Sequence, residues 1–170
     1  MSDVAYPRVQ AHLARLKLPT MVECVDAVAQ EAAKHDWTYI EFLDHLLDAE
    51  VSARYERDVA MKTKLAHFPF LKTLDQFDFA FQPVINERQI RELANLSFIA
   101  NGENVLFLGP PGVGKTHLAI ALGMAAIQQA TSVYFVTMVD LLDQLHRDAK
   151  EDRLDHRLRT LCRPKLLILD

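Results

Sequence analysis

The residues Gly109-Pro110-Pro111-Gly112-Val113-Gly114-Lys115-Thr116 match the pattern Gly-x-x-x-x-Gly-Lys-Thr. Each residue type suits a phosphate. Glycine lets the backbone turn tightly, so that successive amides point inward at anionic oxygens. A helix opening at Lys115 adds the partial positive charge of its N-terminus. Lys115 can then reach the β- and γ-phosphates, and the Thr116 hydroxyl can serve Mg²⁺. A second acid belongs to the same chemistry. Leu166-Leu167-Ile168-Leu169-Asp170 is an apolar run ending in a carboxylate, suited to hold a magnesium-bound water. The expected ligands are ATP and Mg²⁺, with Lys115 and Asp170 as the residues that act on them.

These residues need a scaffold, and the surrounding pattern is β-α-β. Val105 to Leu108 is a short apolar run of the kind found in a strand covered on both faces. Lys115 to Ala130 is an apolar-rich helix, Val133 to Val136 a second strand, and Thr137 the cap of a helix beginning near Met138. Residues 144–160 are charged and helical in pattern, and Leu166 to Leu169 form a third strand. Alternating strands and helices imply an α/β fold with a parallel sheet and right-handed crossovers.

The preceding half is all-helical in pattern. Thr20 with Glu23 and Thr38 with Glu41 have capping-box spacing. The first box opens a helix with Val22, Val25, Ala29 and Ala32/Ala33 on one face. The second opens a long helix from Tyr39 to about Leu65, with Tyr39, Phe42, Leu43, Leu46 and Leu47 on its apolar side. Further along, Arg54, Arg57 and Lys64 fall within one stripe of roughly 80°. Such a stripe is either a solvated face, with Glu56 and Asp58 as partners, or a contact for a phosphate backbone. Phe77, Phe79 and Phe81 alternate within "HFPFLKTLDQFDFAFQP", which reads as an extended segment packing one face on a neighbouring domain. Base stacking on those rings is the other reading. The expected domains are 1–66 (helical), 67–84 (the Phe-rich connector) and 85–170 (the nucleotide domain), with Asn86 to Ala100 helical.

Composition narrows the class. Of 170 residues, 50% are apolar and 25% charged, which describes a globular chain and not a disordered one. No apolar run approaches the ~20 residues a membrane span needs. Two cysteines without a framework spacing and no secretory signal suggest a reducing cytoplasm. The seven histidines have no ligand spacing. A net charge of −4 argues against a uniformly basic nucleic-acid binder. A second basic cluster, Arg153, Arg157, Arg159, Arg163 and Lys165, has only Asp155 opposing it.

Together "LPTMVE…WTYIEFLDHLLDAEVSARYER", "FPFLKTLDQFDFAFQP", "NVLFLGPPGVGKTHLAIALG" and "RPKLLILD" resemble the IstB-like transposase-helper ATPases, relatives of the DnaC-type helicase loaders. The resemblance runs from about residue 8 to 170. It implies an AAA+ ATPase domain behind a small helical domain. It also implies ATP hydrolysis, homo-oligomerisation on double-stranded DNA, deformation of that DNA, and its delivery to a cognate transposase. It carries over Gly109, Pro110, Pro111, Gly112, Val113, Gly114, Lys115 and Thr116 as the nucleotide loop and Asp170 as the magnesium acid. It favours DNA contacts at Arg54, Arg57, Lys64, Arg153, Arg157 and Arg159. Family members continue with a glutamate after this aspartate, then a sensor residue, an arginine finger and a strand lying between the first and third. The chain therefore reads as a truncated copy with impaired turnover. A helicase loader and a non-catalytic binding fragment are the alternatives; pull-down with a transposase or a helicase, and phosphate release, distinguish them.

Overall fold

The computed structural model describes residues 5–170, which form two compact units divided between Asp58 and Val59. The division falls inside a helix, so the Phe-rich segment belongs to the second unit.

The first unit contains α1 (Ala5–Arg15), α2 (Pro19–Lys34) and most of α3 (Tyr39–Leu65). The Thr38–Glu41 capping box forms. The Thr38 amide donates to Glu41 Oε2 at 2.7 Å, and the Glu41 amide donates to Thr38 Oγ1 at 3.3 Å. The Thr20–Glu23 box does not. Leu18 occupies the cap position of α2 with Pro19 in the first turn, where its fixed φ favours the helix. The free amides of Thr20 and Met21 instead donate to Glu50 Oε2, at 2.9 and 3.1 Å. A buried carboxylate thus caps a helix from a distant turn, carrying full charge against the positive end of the dipole.

The core of this unit is Met21, Val25 and Leu46, with Cys24, Val28 and Phe42 packed against it. The buried face of α2 is therefore rotated from the expected Val22/Ala29/Ala32 line, because Met21 and Val28 bring more apolar area into the core than alanines can. On α3 the expected apolar side is largely open: Tyr39 is 94% exposed, and Leu43 and Leu47 are 46% exposed each.

The second unit centres on α6 (Lys115–Gln128), whose Leu118, Ile120, Ala121, Leu122, Ala126 and Ile127 are buried nearly all round. Beside it lie two parallel strands, β1 (Val133–Val136) and β2 (Leu166–Leu169), in register from Val133 opposite Leu166 to Val136 opposite Leu169. Ile120, Ile127, Val133, Phe135 and Ile168 form the main core, joined by Ala66, Leu96 and Phe98. The other edge of β1 is met once, by the Phe135 amide donating to the Ala66 carbonyl at 2.8 Å. Thr137 caps α7 (Met138–Lys150) through the Asp140 amide, 3.1 Å away.

Four expected elements come out differently. Val105 to Leu108 is not a strand: an apolar run becomes one only when a neighbour takes its amides and carbonyls. Among the described residues none does, and Leu106 and Leu108 are 75% and 87% exposed. Phe77 to Phe81 is not extended either. A 3-10 turn at Leu74–Gln76 and a further turn at Phe79 bury Phe77 and leave Phe81 74% exposed. The helix over Asn86–Ala100 is two, α4 (Glu87–Leu93) and α5 (Ser97–Asn101), broken where Leu96 is left-handed at φ 60°. The charged helix over 144–160 likewise breaks at Asp152 (φ 55°) into α7 and α8 (Leu154–Leu161).

Candidate nucleotide site

The loop Gly109–Thr116 leads into α6, with Gly114 at the helix cap in a left-handed conformation of φ 89°. Gly112 is likewise left-handed at φ 81°, so two loop positions adopt a backbone that glycine takes without strain. The Gly114 carbonyl accepts the first helical bond from the Leu118 amide at 2.9 Å, which leaves the amides at the start of α6 free for an anion.

Lys115 folds over the loop. Its Nζ donates to the carbonyls of Gly109 (3.0 Å) and Pro110 (2.7 Å), which holds the ammonium against the start of the loop. Thr116 Oγ1 donates to Asp170 Oδ1 at 2.7 Å. Two residues 54 positions apart in sequence thus converge. The link is built by β2: the Asp170 amide donates to the Val136 carbonyl (3.2 Å), and the Asp170 carbonyl accepts from the Met138 amide (2.7 Å). The end of β2 is therefore clamped to the end of β1, and its carboxylate reaches the first turn of α6. A hydroxyl and a carboxylate side by side are hard oxygen donors that fit Mg²⁺.

Four of the basic candidates, Arg54, Arg57, Arg153 and Arg157, are arranged around two buried carboxylates, Glu50 and Asp148, that the sequence does not single out. In the first unit Arg54 Nε donates to Glu50 Oε1 at 2.9 Å, and Arg57 lies 3.4 Å from the same oxygen. Arg54 also donates to the Lys17 carbonyl. Arg54 and Arg57 thus find partners in Glu50 and in backbone carbonyls of the same unit. Burial disfavours the Glu50 charge, yet the Arg54 hydrogen bond and the amides of Met21 and Thr20 outweigh it and hold the carboxyl below its ordinary range. In the second unit Asp148, on α7, accepts from Arg157 and pairs with Arg153, so the opposing acid is Asp148 and not Asp155 alone. The Arg157 hydrogen bond lowers the Asp148 carboxyl despite burial, with Arg153 and Arg147 adding to it. Arg153 pairs with Glu151 as well. Lys64 and Arg159 are exposed and form no ion pair among the described residues.

Glu50 sits one helical turn before Arg54, so the i,i+4 rule could have found that pair. Asp148 precedes Arg157 by nine residues across a helix break, and no periodicity connects them.

A glycine loop opening a buried helix, beside parallel strands that end on an acid reaching that loop, defines a P-loop nucleotide-binding fold. The chain belongs to the IstB-like ATP binding proteins, whose family model matches residues 11–170. It is 47% identical over 163 residues to a protein named for ATP binding in insertion sequence IS5376 of Geobacillus stearothermophilus, covering 96% of this chain and 65% of that relative. A protein named likewise in insertion sequence IS21 of Pseudomonas aeruginosa is 44% identical over 158 residues, covering 93% of this chain and 60% of the relative. A third, in insertion sequence IS232 of Bacillus thuringiensis subsp. berliner, is 39% identical over 166 residues, covering 98% and 66%. The chain thus spans 60% to 66% of the length of these relatives. No helix among the described residues is long and apolar enough to cross a membrane.

Proposed function

We propose that this protein binds ATP with Mg²⁺ at Gly109–Thr116 and Asp170, and that it serves as an ATP-dependent helper in DNA transposition. The observation that carries the binding site is the 2.7 Å bond from Thr116 to Asp170, which brings a metal-binding hydroxyl and an acid together at the foot of the loop. On binding, the loop amides and the N-terminus of α6 take the phosphate oxygens, and Lys115 exchanges its two carbonyl partners for phosphate. Thr116 and Asp170 are the residues that would hold the magnesium ion, which when bound offsets the charge of the phosphates.

ATP hydrolysis, deformation of double-stranded DNA and recruitment of a cognate transposase are proposed for the whole protein to which these residues contribute. The family and the insertion-sequence names of the relatives support this reading. For DNA, the candidates are Arg54, Arg57, Lys64, Arg153, Arg157 and Arg159. Lys64 and Arg159 lead among them, because the other four arginines already serve Glu50 or Asp148. Self-assembly is supported by an apolar stripe on α3 (Ile40, Leu43, Leu47 and Val51), each residue between 46% and 73% exposed. Calorimetric titration of ATP with Mg²⁺ into the chain, beside Lys115→Ala, tests the binding site. A saturable heat that Lys115→Ala abolishes supports it, and equal binding by both chains refutes it.

A further inference from the structure

The segment before the phosphate loop makes a built contact with it. Phe77 is buried beside Ile90 and Leu118, and its ring meets Phe79 (centroids 4.8 Å apart) and His117 (5.1 Å) edge to face. The same ring is packed closely against Gly114. A Cβ at that position would stand 2.5 Å from Phe77 Cε2 and 3.2 Å from Cζ. Glycine is thus required there twice, for its left-handed backbone and for the aromatic ring against it. His117, in the first turn of α6, stands 3.1 Å from the Thr73 carbonyl through Nε2. A carbonyl can only accept, so Nε2 carries the proton. That carbonyl also accepts from the Gln76 amide (3.2 Å), while the Thr73 amide donates to Gln76 Oε1 (3.2 Å). Residues 73–79 are therefore tied upon themselves and fastened at both Gly114 and His117, on either side of Lys115 and Thr116.

We propose that residues 73–79 are a strap that positions the phosphate loop, with Phe77 as its positioning residue, so that ATP binding and the order of the strap are linked. The inference rests on the nucleotide reading above. Its physical basis is that Lys115 must leave the Gly109 and Pro110 carbonyls to meet a phosphate, so the loop loses two internal ties. What then holds Gly114 and the first turn of α6 in place is the ring of Phe77 and the His117–Thr73 bond. Coupling of this kind is reciprocal: a strap that favours the binding geometry is itself held by the ligand.

Two measurements on the full chain test this. The first is hydrogen exchange with and without ATP and Mg²⁺, which the bonded amides of Gln76 and Phe77 can report. ATP should slow exchange in 73–79 as well as in the loop, and Lys115→Ala should abolish both effects. The second is ATP affinity by calorimetry. Phe77→Ala should bind about tenfold more weakly, as expected when a positioned group loses its support. Phe77→Leu, which keeps apolar bulk against Gly114, should stay within about threefold of the unaltered chain. Full affinity in a folded Phe77→Ala would overturn the strap. So would slowed exchange in the loop with none in 73–79, an outcome read on the unaltered chain should Phe77→Ala not fold. Absence of ATP binding by the unaltered chain would overturn the nucleotide reading itself, and the strap with it.

Discussion

Thr116→Val separates the two duties the site requires of one side chain. Valine keeps the β-branched shape and a similar helix propensity, so α6 should start as before. The hydroxyl that donates to Asp170 at 2.7 Å is lost, but this pair is exposed and water can replace it. The fold should therefore lose less than about 1 kcal/mol. Metal-assisted binding should suffer far more. One hard oxygen leaves the place where Thr116 and Asp170 converge, and an affinity loss of about 10- to 100-fold is expected, or about 1.4 to 2.8 kcal/mol. The assay is ATP binding to both chains with Mg²⁺ and again in a chelator. The difference should appear with Mg²⁺ and shrink to within about twofold in the chelator, and Thr116→Ser should restore binding because it restores the oxygen. An equal deficit in both conditions would mean that Thr116 supports the loop and not a metal, and the magnesium assignment would fail.

Other consequences are as direct. Ile127 is fully buried in the core of the second unit, so Ile127→Ala should cost about 2 to 5 kcal/mol in guanidinium unfolding followed by circular dichroism; a cost under about 1 kcal/mol would contradict the packing described. Glu50 and Asp148 are both held below their ordinary values of 4.5 and 3.8, so the folded state binds fewer protons than the unfolded one. Their stabilisation is therefore complete above those values and drains away as pH falls below them. Glu50→Gln should be less stable than the unaltered chain at neutral pH and lose less stability as pH falls, giving a flatter acid limb; identical pH profiles would remove Glu50 from its capping role. Joint removal of Lys64 and Arg159 should weaken binding to DNA of any sequence and reduce the slope of log affinity against log salt by about two, roughly one per lost contact. An unchanged slope would make both residues solvated surface.

The geometry of the loop at Gly109–Thr116 was readable in the sequence because it is set locally. Gly112, Gly114, Lys115 and Thr116 act within one turn, and their spacing alone implies the left-handed backbone and the helix that follows. The meeting of Asp170 with the loop was expected for a related reason, since the acid ends the apolar run that follows the loop by one further strand and helix. Thr38 with Glu41, and Thr137 with α7, were legible as caps for the same locality. What sequence did not show was governed by distant partners. Thr20 has the right neighbour at Glu23, but Glu50 brings a buried charge to the same amides and takes them. Arg54 was expected to face Glu56 and Asp58 or a phosphate backbone, and Arg157 to face Asp155, whereas the fold gives them the buried acids Glu50 and Asp148. Val105 to Leu108 is strand-like in composition, yet a strand exists only with a neighbour beside it. Alternation at Phe77, Phe79 and Phe81 suggested an extended chain, whereas the 3-10 turn before it directs Phe77 alone onto Gly114.

The central claim is that residues 109–116 and Asp170 make one site for ATP and Mg²⁺. Equilibrium binding of ATP with Mg²⁺, compared between the unaltered chain, Lys115→Ala and Asp170→Asn, tests it most directly. Saturable binding should be abolished by Lys115→Ala and weakened by Asp170→Asn only while Mg²⁺ is present. Binding that survives Lys115→Ala, or an Asp170→Asn effect that persists in a chelator, would contradict it.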